Sequence, residues 1–197
     1  MKCMYCKKEI LEKLSFSSVF SKKDSLVLCE ECKYNIDINI SEIDGYTLYY
    51  FGNYDFLKDV IYKIKYSGAV HEAEKFRELF SLFFKKYRFN LITIVPINNT
   101  RNYIRGFNQI SQICNVCDVR YIDTLQCDYR EKQSKLHKKR EKHKFSFIDN
   151  LDFEKYPKRI LIIDDVITSG NTLISCAEVL EERFPDAEIC FLTLAKS

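Results

Sequence analysis

Ile160-Leu161-Ile162-Ile163-Asp164-Asp165-Val166-Ile167-Thr168-Ser169-Gly170-Asn171-Thr172 is the stretch whose reading decides the fold. From Arg159 to Ile163 the apolar run has the unbroken hydrophobicity of a parallel strand covered on both faces. It ends in two adjacent carboxylates, then a hydroxyl-rich turn with one glycine, then helical spacing over residues 173–184. Ionised carboxylates only accept hydrogen bonds, so a pair of them suits two neighbouring sugar hydroxyls. Thr168, Ser169 and Thr172 offer hydroxyl donors, Gly170 lets the backbone come close, and unpaired amides at a helix start attract a phosphate. The loop therefore suits a sugar held by its hydroxyl pair and its phosphate together. The alternative is a plain strand-to-helix turn whose polar residues only cap the helix. Capping needs one such residue, and here five stand in order.

Downstream, residues 188–194 form a last apolar strand, so strand, helix and strand make a right-handed parallel crossover. Upstream, Leu91-Ile92-Thr93-Ile94-Val95 is a short β-branched run stopped by Pro96, the pattern of another buried strand. A turn-rich stretch follows at residues 98–102, and Gly106-Phe107-Asn108-Gln109 opens a helix to about Cys117. Earlier, Leu57, Val60, Ile61 and Ile64 share one face of a helix over residues 54–65, ended by Gly68, and a second amphipathic helix is predicted over 72–86. Residues 1–40 carry two Cys-x-x-Cys pairs. The alternation from Ile36 to Asp44, up to Gly45, then reads as a linker.

The 197 residues suffice for one well-buried α/β core and a small appendage. Hydrophobic residues at 46% and charged residues at 30% exclude a disordered or membrane-spanning class. No apolar stretch is long enough to span a bilayer, and the first residues lack an export signal, so the expected location is the cytoplasm. There thiols stay reduced, and clustered cysteines point to metal rather than disulfides. A net charge of +3 is too small by itself to imply a polyanionic partner, which leaves the placement of the basic residues to decide.

With four apolar residues, two acids and a Thr/Ser-rich Gly-x-Thr turn, residues 160–172 resemble the phosphoribosyl-pyrophosphate (PRPP) signature of type I phosphoribosyltransferases. The implied fold is α/β, a parallel sheet flanked by helices. The resemblance implies that Asp164 and Asp165 bind the ribose hydroxyls, as the catalytic pair, and that Thr168, Ser169, Gly170, Asn171 and Thr172 hold the 5′-phosphate. Ser169 stands where many members have Thr, which keeps the hydroxyl. The resemblance implies that the pyrophosphate is held at Val95-Pro96-Ile97-Asn98-Asn99-Thr100-Arg101, at the end of the earlier strand, a position consistent with a ligand crevice at strand C-termini. Arg101, Arg105 and Lys65 are candidate pyrophosphate partners there, the alternative being solvated loop cations. Mg²⁺ is expected to come with PRPP, bound mainly by substrate oxygens.

Arg105-Gly106-Phe107-Asn108-Gln109, Lys65-Tyr66-Ser67-Gly68, Gln133-x-x-Leu136-x-x-x-Arg140, the N-terminal cysteine pairs and Leu192-Thr193-Leu194-Ala195 look like the ComF family, proteins associated with DNA uptake in competent bacteria. His143 departs from the Asn that the family tends to carry there.

Cys3-x-x-Cys6 and Cys29-x-x-Cys32 have the spacing of a closed, structural four-cysteine zinc site, with a catalytic dithiol as the lesser alternative. Residues 1–40 are expected to be a zinc-binding module and 46–197 the phosphoribosyltransferase-like domain. A module this small needs the metal for stability. Cys114 and Cys117, on a helix without a second pair, read as core. The basic run contains Arg130, Lys132, Lys138, Lys139 and Arg140 and falls where the resemblance puts a loop closing over PRPP. It could screen pyrophosphate, contact single-stranded DNA, or be a solvated face. Tyr129, Phe145 and Phe147 could stack bases, although two Phe at i, i+2 more often mark an inward-facing strand.

Three functions follow as expectations. The first is an enzyme that transfers phosphoribosyl from PRPP to an unknown acceptor. The second is a PRPP-regulated protein that binds single-stranded DNA or docks on a DNA-translocation helicase. The third is a family member that has kept the fold and lost the chemistry.

Overall fold

A computed structural model describes residues 2–3, 5–10, 27–97, 106–127, 145–149 and 151–197. Its centre is a five-stranded sheet in the order β1-β2-β7-β6-β3. These strands are β1 (Ile36–Ile43), β2 (Tyr46–Asn53), β3 (Leu91–Ile94), β6 (Arg159–Ile167) and β7 (Glu188–Lys196). Only β1 runs antiparallel to its neighbour; β2, β7, β6 and β3 are mutually parallel. A separate antiparallel pair joins β4 (Leu125–Cys127) to β5 (Phe145–Phe147). The expected class, α/β with a parallel sheet flanked by helices, is the one observed.

The helices are α1 (Glu30–Asn35), α2 (Tyr54–Tyr66), α3 (Arg77–Lys86), α4 (Gln109–Val116) and α5 (Asn171–Arg183). One hydrophobic cluster packs Leu57, Ile61 and Ile64 of α2, Phe80 and Phe83 of α3, and Ile110 and Ile113 of α4 against Leu161, Ile163 and Leu192. A second packs Leu173, Ala177 and Leu180 of α5 against Ile160, Ile162 and Phe191. Both faces of β6 are thereby covered, which is why its sequence is apolar without alternation.

The structure departs from the sequence reading at three elements. The alternation read as a linker is β1, and it pairs with β2 through a two-residue turn at Asp44-Gly45, both at positive φ (50° and 84°). The expected helix over 72–86 is two pieces, a 3₁₀ segment (Val70–Phe76) followed by α3. Buried Ala73, Phe76 and Leu79 recur every three residues, and a helix of three residues per turn puts those on one line. Beyond them Leu79, Phe80 and Phe83 have the α spacing, and the α-helix takes over. Finally, β6 does not stop before its acids but runs on to Ile167, paired to β7 as far as Lys196.

The N-terminal residues share the first cluster. Cys3 and Cys32 are fully buried in it, and the Tyr5 ring meets Phe56 of α2 at 5.7 Å and Phe76 at 6.3 Å. A Cβ on Gly52 would come within 2.6 Å of the Asn35 carbonyl oxygen, so β2 and the end of α1 meet without room for a side chain. Among the described residues no helix is long and apolar enough to cross a membrane.

Candidate functional site

The site originates where β3 and β6 part. Their pairing runs from Leu91 with Ile160 to Ile94 with Ile163, and its last bond is from the Val95 amide to the Ile163 carbonyl at 3.0 Å. Past that point β6 is bonded to β7 alone, and its next two residues are Asp164 and Asp165. A cleft of about 450 Å³ opens there, lined by Val95, Pro96 and Ile97 from the end of β3, Asp164, Asp165, Thr168 and Thr172 from β6 and its turn, and Lys65, Asn108 and Gln109 opposite. This is the carboxyl end of a parallel sheet, the usual ligand position in such folds.

The two acids are not equivalent. Asp165 is 5% exposed, and its Oδ1 takes an ion pair from Lys65 Nζ at 2.9 Å while its Oδ2 accepts from Gln109 Nε2. Asp164 is half-buried, and its Oδ1 accepts from the Asp165 amide at 2.8 Å. Gln109 is aimed by the start of α4: Asn108 Oδ1 caps the helix by accepting from the Ile110 amide at 3.0 Å, and Asn108 Nδ2 donates to the Val95 carbonyl at 3.1 Å. The side chain of Asn108 therefore ties the end of β3 to the helix that presents Gln109.

Beyond the acids the turn Thr168-Ser169-Gly170 leads into α5. Gly170 is the N-cap, left-handed at φ 77°, and is buried, while Thr168, Ser169, Asn171 and Thr172 are exposed around it. At the far wall, β4 and β5 contribute Cys127 and Phe145, which are register partners and both line the cleft. The segment leading into β4 is fastened to β3 by the Ile122 amide on the Ile92 carbonyl (2.9 Å) and by a buried hydroxyl bond between Thr124 and Thr93 (2.8 Å). Phe145 is buried and Phe147 half-buried in the second cluster, so this pair is an inward-facing strand rather than an exposed stacking surface.

Of the residues singled out in the sequence, Asp164, Asp165, Thr168, Thr172 and Lys65 come together in the cleft, with Ser169, Gly170 and Asn171 on its turn. Arg101, Arg105, Tyr129, Arg130, Lys132, Lys138, Lys139, Arg140 and His143 lie outside the described residues. Gln109, Tyr54 and Tyr66 were not singled out as site residues, yet they line the cleft. The signal for Gln109 was its place one residue after a helix-capping Asn.

The four N-terminal cysteines converge: their sulfurs lie within 4.8 Å of one another, with Cys6 and Cys29 at 3.5 Å. Tetrahedral zinc with Zn–S near 2.3 Å requires S–S separations of about 3.8 Å, so the set fits a closed metal site. Burial pushes the Cys3 and Cys32 thiols up, but hydrogen bonds with the backbone of Cys29, Cys6 and Tyr5 outweigh it at Cys3, whose pKa falls to about 6. For sulfurs this close all to be thiolates, a cation must stand among them. Cys114 and Cys117, by contrast, are buried in the first cluster, and burial pushes both thiols up to about 12, the behaviour of core residues.

A family model described as the phosphoribosyl transferase domain matches residues 69–197. Competence protein ComFC of Streptococcus pneumoniae is 24% identical over 208 residues, covering 92% of this chain and 94% of that protein. Competence protein ComFC of Bacillus subtilis is 27% identical over 146 residues, covering 73% of this chain and 61% of that protein. Among solved structures, the Helicobacter pylori xanthine-guanine-hypoxanthine phosphoribosyltransferase aligns at a TM-score of 0.34 and 15% identity, over 76% of this chain and 79% of that one. The family match spans well over half of the chain and includes β6, its acids and the turn into α5; the chain belongs to the phosphoribosyl transferase domain family and, within it, is ComF-like.

Proposed function

We propose that this cleft binds PRPP in the manner of a ComF-type phosphoribosyltransferase-like protein serving DNA uptake in the cytoplasm. The observation that carries the reading is the order of groups along one strand-to-helix passage. Two carboxylates sit near the end of β6, then hydroxyls, a left-handed glycine and the first amides of α5, and Asp164, Asp165, Thr168 and Thr172 of this passage border one cavity. Asp164 and Asp165 take the ribose hydroxyls, and residues 168–172 take the 5′-phosphate. Mg²⁺ enters with the substrate, held by its oxygens. Transfer would then be displacement at the anomeric carbon: the acceptor forms the new bond as the C1–O bond to pyrophosphate breaks.

Calorimetric titration with PRPP and Mg²⁺ tests this. The Asp164→Asn/Asp165→Asn double variant is expected to bind about a hundredfold more weakly than wild type, since two charge-assisted hydrogen bonds become neutral ones. Equal heats for both proteins would dismiss the assignment.

A second reading, a PRPP-regulated single-stranded DNA-binding or helicase-docking protein, is favoured by one observation. The basic residues of 128–144 join Cys127 to Phe145, and both of these line the cleft. The stretch read as meeting the polyanion would thus start and end at residues that border the ligand's cleft. Lys138→Glu with Lys139→Glu is expected to lower affinity for single-stranded DNA and to flatten its dependence on salt. Affinity and salt slope identical to wild type would remove this stretch from the binding surface. Pyrophosphate release in the presence of DNA or nucleobases would favour the enzyme over this second reading.

We further propose that Cys3, Cys6, Cys29 and Cys32 hold zinc in a structural role. All four positions are taken by protein sulfur, which leaves no open coordination site for catalysis.

A further inference from the structure

The amino end of the sheet, opposite the cleft, carries a charge pattern that the cleft does not use. The segments that enter β3 and β6, residues 85–90 and 158–159, contain Lys85, Lys86, Arg88, Lys158 and Arg159 and no acid. Far apart in the chain, they are fastened side by side. Asn90 Oδ1 accepts from the Lys158 amide at 3.2 Å and from the Arg159 amide at 3.0 Å, the Asn90 amide donates to the Arg159 carbonyl at 2.8 Å, and Arg159 Nη1 donates to the Arg88 carbonyl at 3.4 Å. Tyr87 is extended, so neighbouring side chains alternate in direction. The rings of Tyr87 and Phe89 turn inward onto Tyr49 and Phe83, at 4.6 Å and 5.9 Å, while Lys86 and Arg88 stay exposed. Arg159 is engaged within the protein, paired with Glu188 at 2.9 Å and lying 4.9 Å over the Phe89 ring. Lys86, Arg88 and Lys158 differ: all three are exposed, and among the described residues none has a carboxylate partner.

We propose that Lys86, Arg88 and Lys158 form a surface that binds the phosphate backbone of single-stranded DNA, apart from the cleft. The inference rests on the second reading above, that the chain handles single-stranded DNA, and adds a face to the stretch 128–144 considered there. Arg159 and Asp164 are five residues apart on β6, about 16 Å along an extended strand, so the surface and the cleft occupy opposite ends of one strand. A polyanion suits the surface because its cations stand outward on two segments locked together by hydrogen bonds, and phosphates release counterions as they are neutralised. An anionic bilayer suits it less, since membrane-surface binding also needs apolar side chains to insert. Of the exposed large hydrophobic residues, Tyr156 is the nearest to these segments in the chain, and its ring packs against Phe184 at 5.6 Å.

The test is fluorescence anisotropy of a labelled single-stranded oligonucleotide with the full chain over a series of salt concentrations. Wild type is compared with Lys86→Gln/Arg88→Gln/Lys158→Gln and with a control that removes three exposed charges elsewhere, Lys33→Gln/Lys58→Gln/Arg120→Gln. The first variant is expected to lose about tenfold or more in affinity and to flatten the salt slope by about 2, the share of three phosphate contacts on a single strand. The control should stay within about twofold of wild type, and the loss in the first variant should be the same with and without PRPP–Mg²⁺. Each single variant, Lys86→Gln, Arg88→Gln or Lys158→Gln, should flatten the slope by about 0.7, which keeps the test decisive if the triple variant folds poorly. Unchanged affinity in the first variant, or equal losses in both, overturns the proposal and leaves the DNA reading standing on residues 128–144. A loss that vanishes once PRPP–Mg²⁺ is present would put the strand in the cleft and overturn it too. So would a loss seen with phosphatidylserine–phosphatidylcholine vesicles but not with the oligonucleotide. If wild-type protein binds no single-stranded DNA, the second reading itself fails and the proposal falls with it.

Discussion

Stripping zinc from the four-cysteine cluster is expected to lower the melting temperature of the whole chain by about 10 °C or more, through the loss of several kcal/mol of metal-linked folding energy. Read from sequence alone, the loss would fall on an appendage. The packing says otherwise. Cys3 and Cys32 are buried in the same cluster as Phe51, Leu57 and Phe76, and Tyr5, lying between the first two cysteines, packs its ring tilted against Phe56 and edge-on to Phe76. Without a cation the sulfurs must separate or take up protons, and the side chains packed around them lose their support. A chelator titration followed by calorimetry measures the effect, and Cys32→Ser should reproduce it without chelator. Alkylation with mass spectrometry locates it: Cys6 and Cys29, half-buried, should react once metal is removed, while Cys114 and Cys117, with thiols raised to about 12 by burial, should stay unmodified until global unfolding. A melt indifferent to chelation, with no zinc released, would show that the cysteines pack without metal.

Gly170→Val is the second large effect, with about 2–4 kcal/mol of destabilisation and loss of PRPP binding as the expected results. Gly170 sits at φ 77° as the N-cap of α5, where a β-branched residue is a severe outlier. A Cβ there would also collide with the Ile43 side chain and lie 3.5 Å from Ile167 Cδ1. The side chain of Ile43 can shift; the backbone angle cannot without moving the turn that carries Thr168 and Thr172. Gly170→Asn separates these causes, because Asn tolerates the left-handed region and should cost markedly less stability than Val. Thermal denaturation of the two variants against wild type decides it. If Val and Asn are equally mild, the turn is softer than its geometry implies.

How much was legible follows from where the forces act. The passage from β6 through the turn into α5 depends on local chemistry: continuous apolar residues for a two-face-covered strand, a glycine for positive φ, hydroxyls and amides at a helix start. Its pattern could be read directly. The face of α2 was equally plain, since Leu57, Val60, Ile61 and Ile64 are the four residues it buries. The β1–β2 hairpin has its signals too, a strong turn at Asp44-Gly45 and an aromatic-rich Tyr46–Asn53. The alternation before it looked like a polar connection because β1 lies at the sheet edge and keeps one side in water.

By itself, then, the amino-acid sequence determined the strand-turn-helix that carries the acids, the metal-type spacing of the cysteines and the parallel character of the sheet, because each depends on neighbours along the chain. Tertiary structure alone decided that Asp165 is clasped by Lys65 and Gln109 while Asp164 is half-buried, that Asn108 joins β3 to α4, and that Tyr5 seats the cysteine cluster on the main core. Those contacts join residues 56 to 100 positions apart in the case of Asp165 and 51 to 71 in the case of Tyr5. No local pattern encodes such pairs: they exist only once burial of the two hydrophobic clusters has brought the helices onto the sheet.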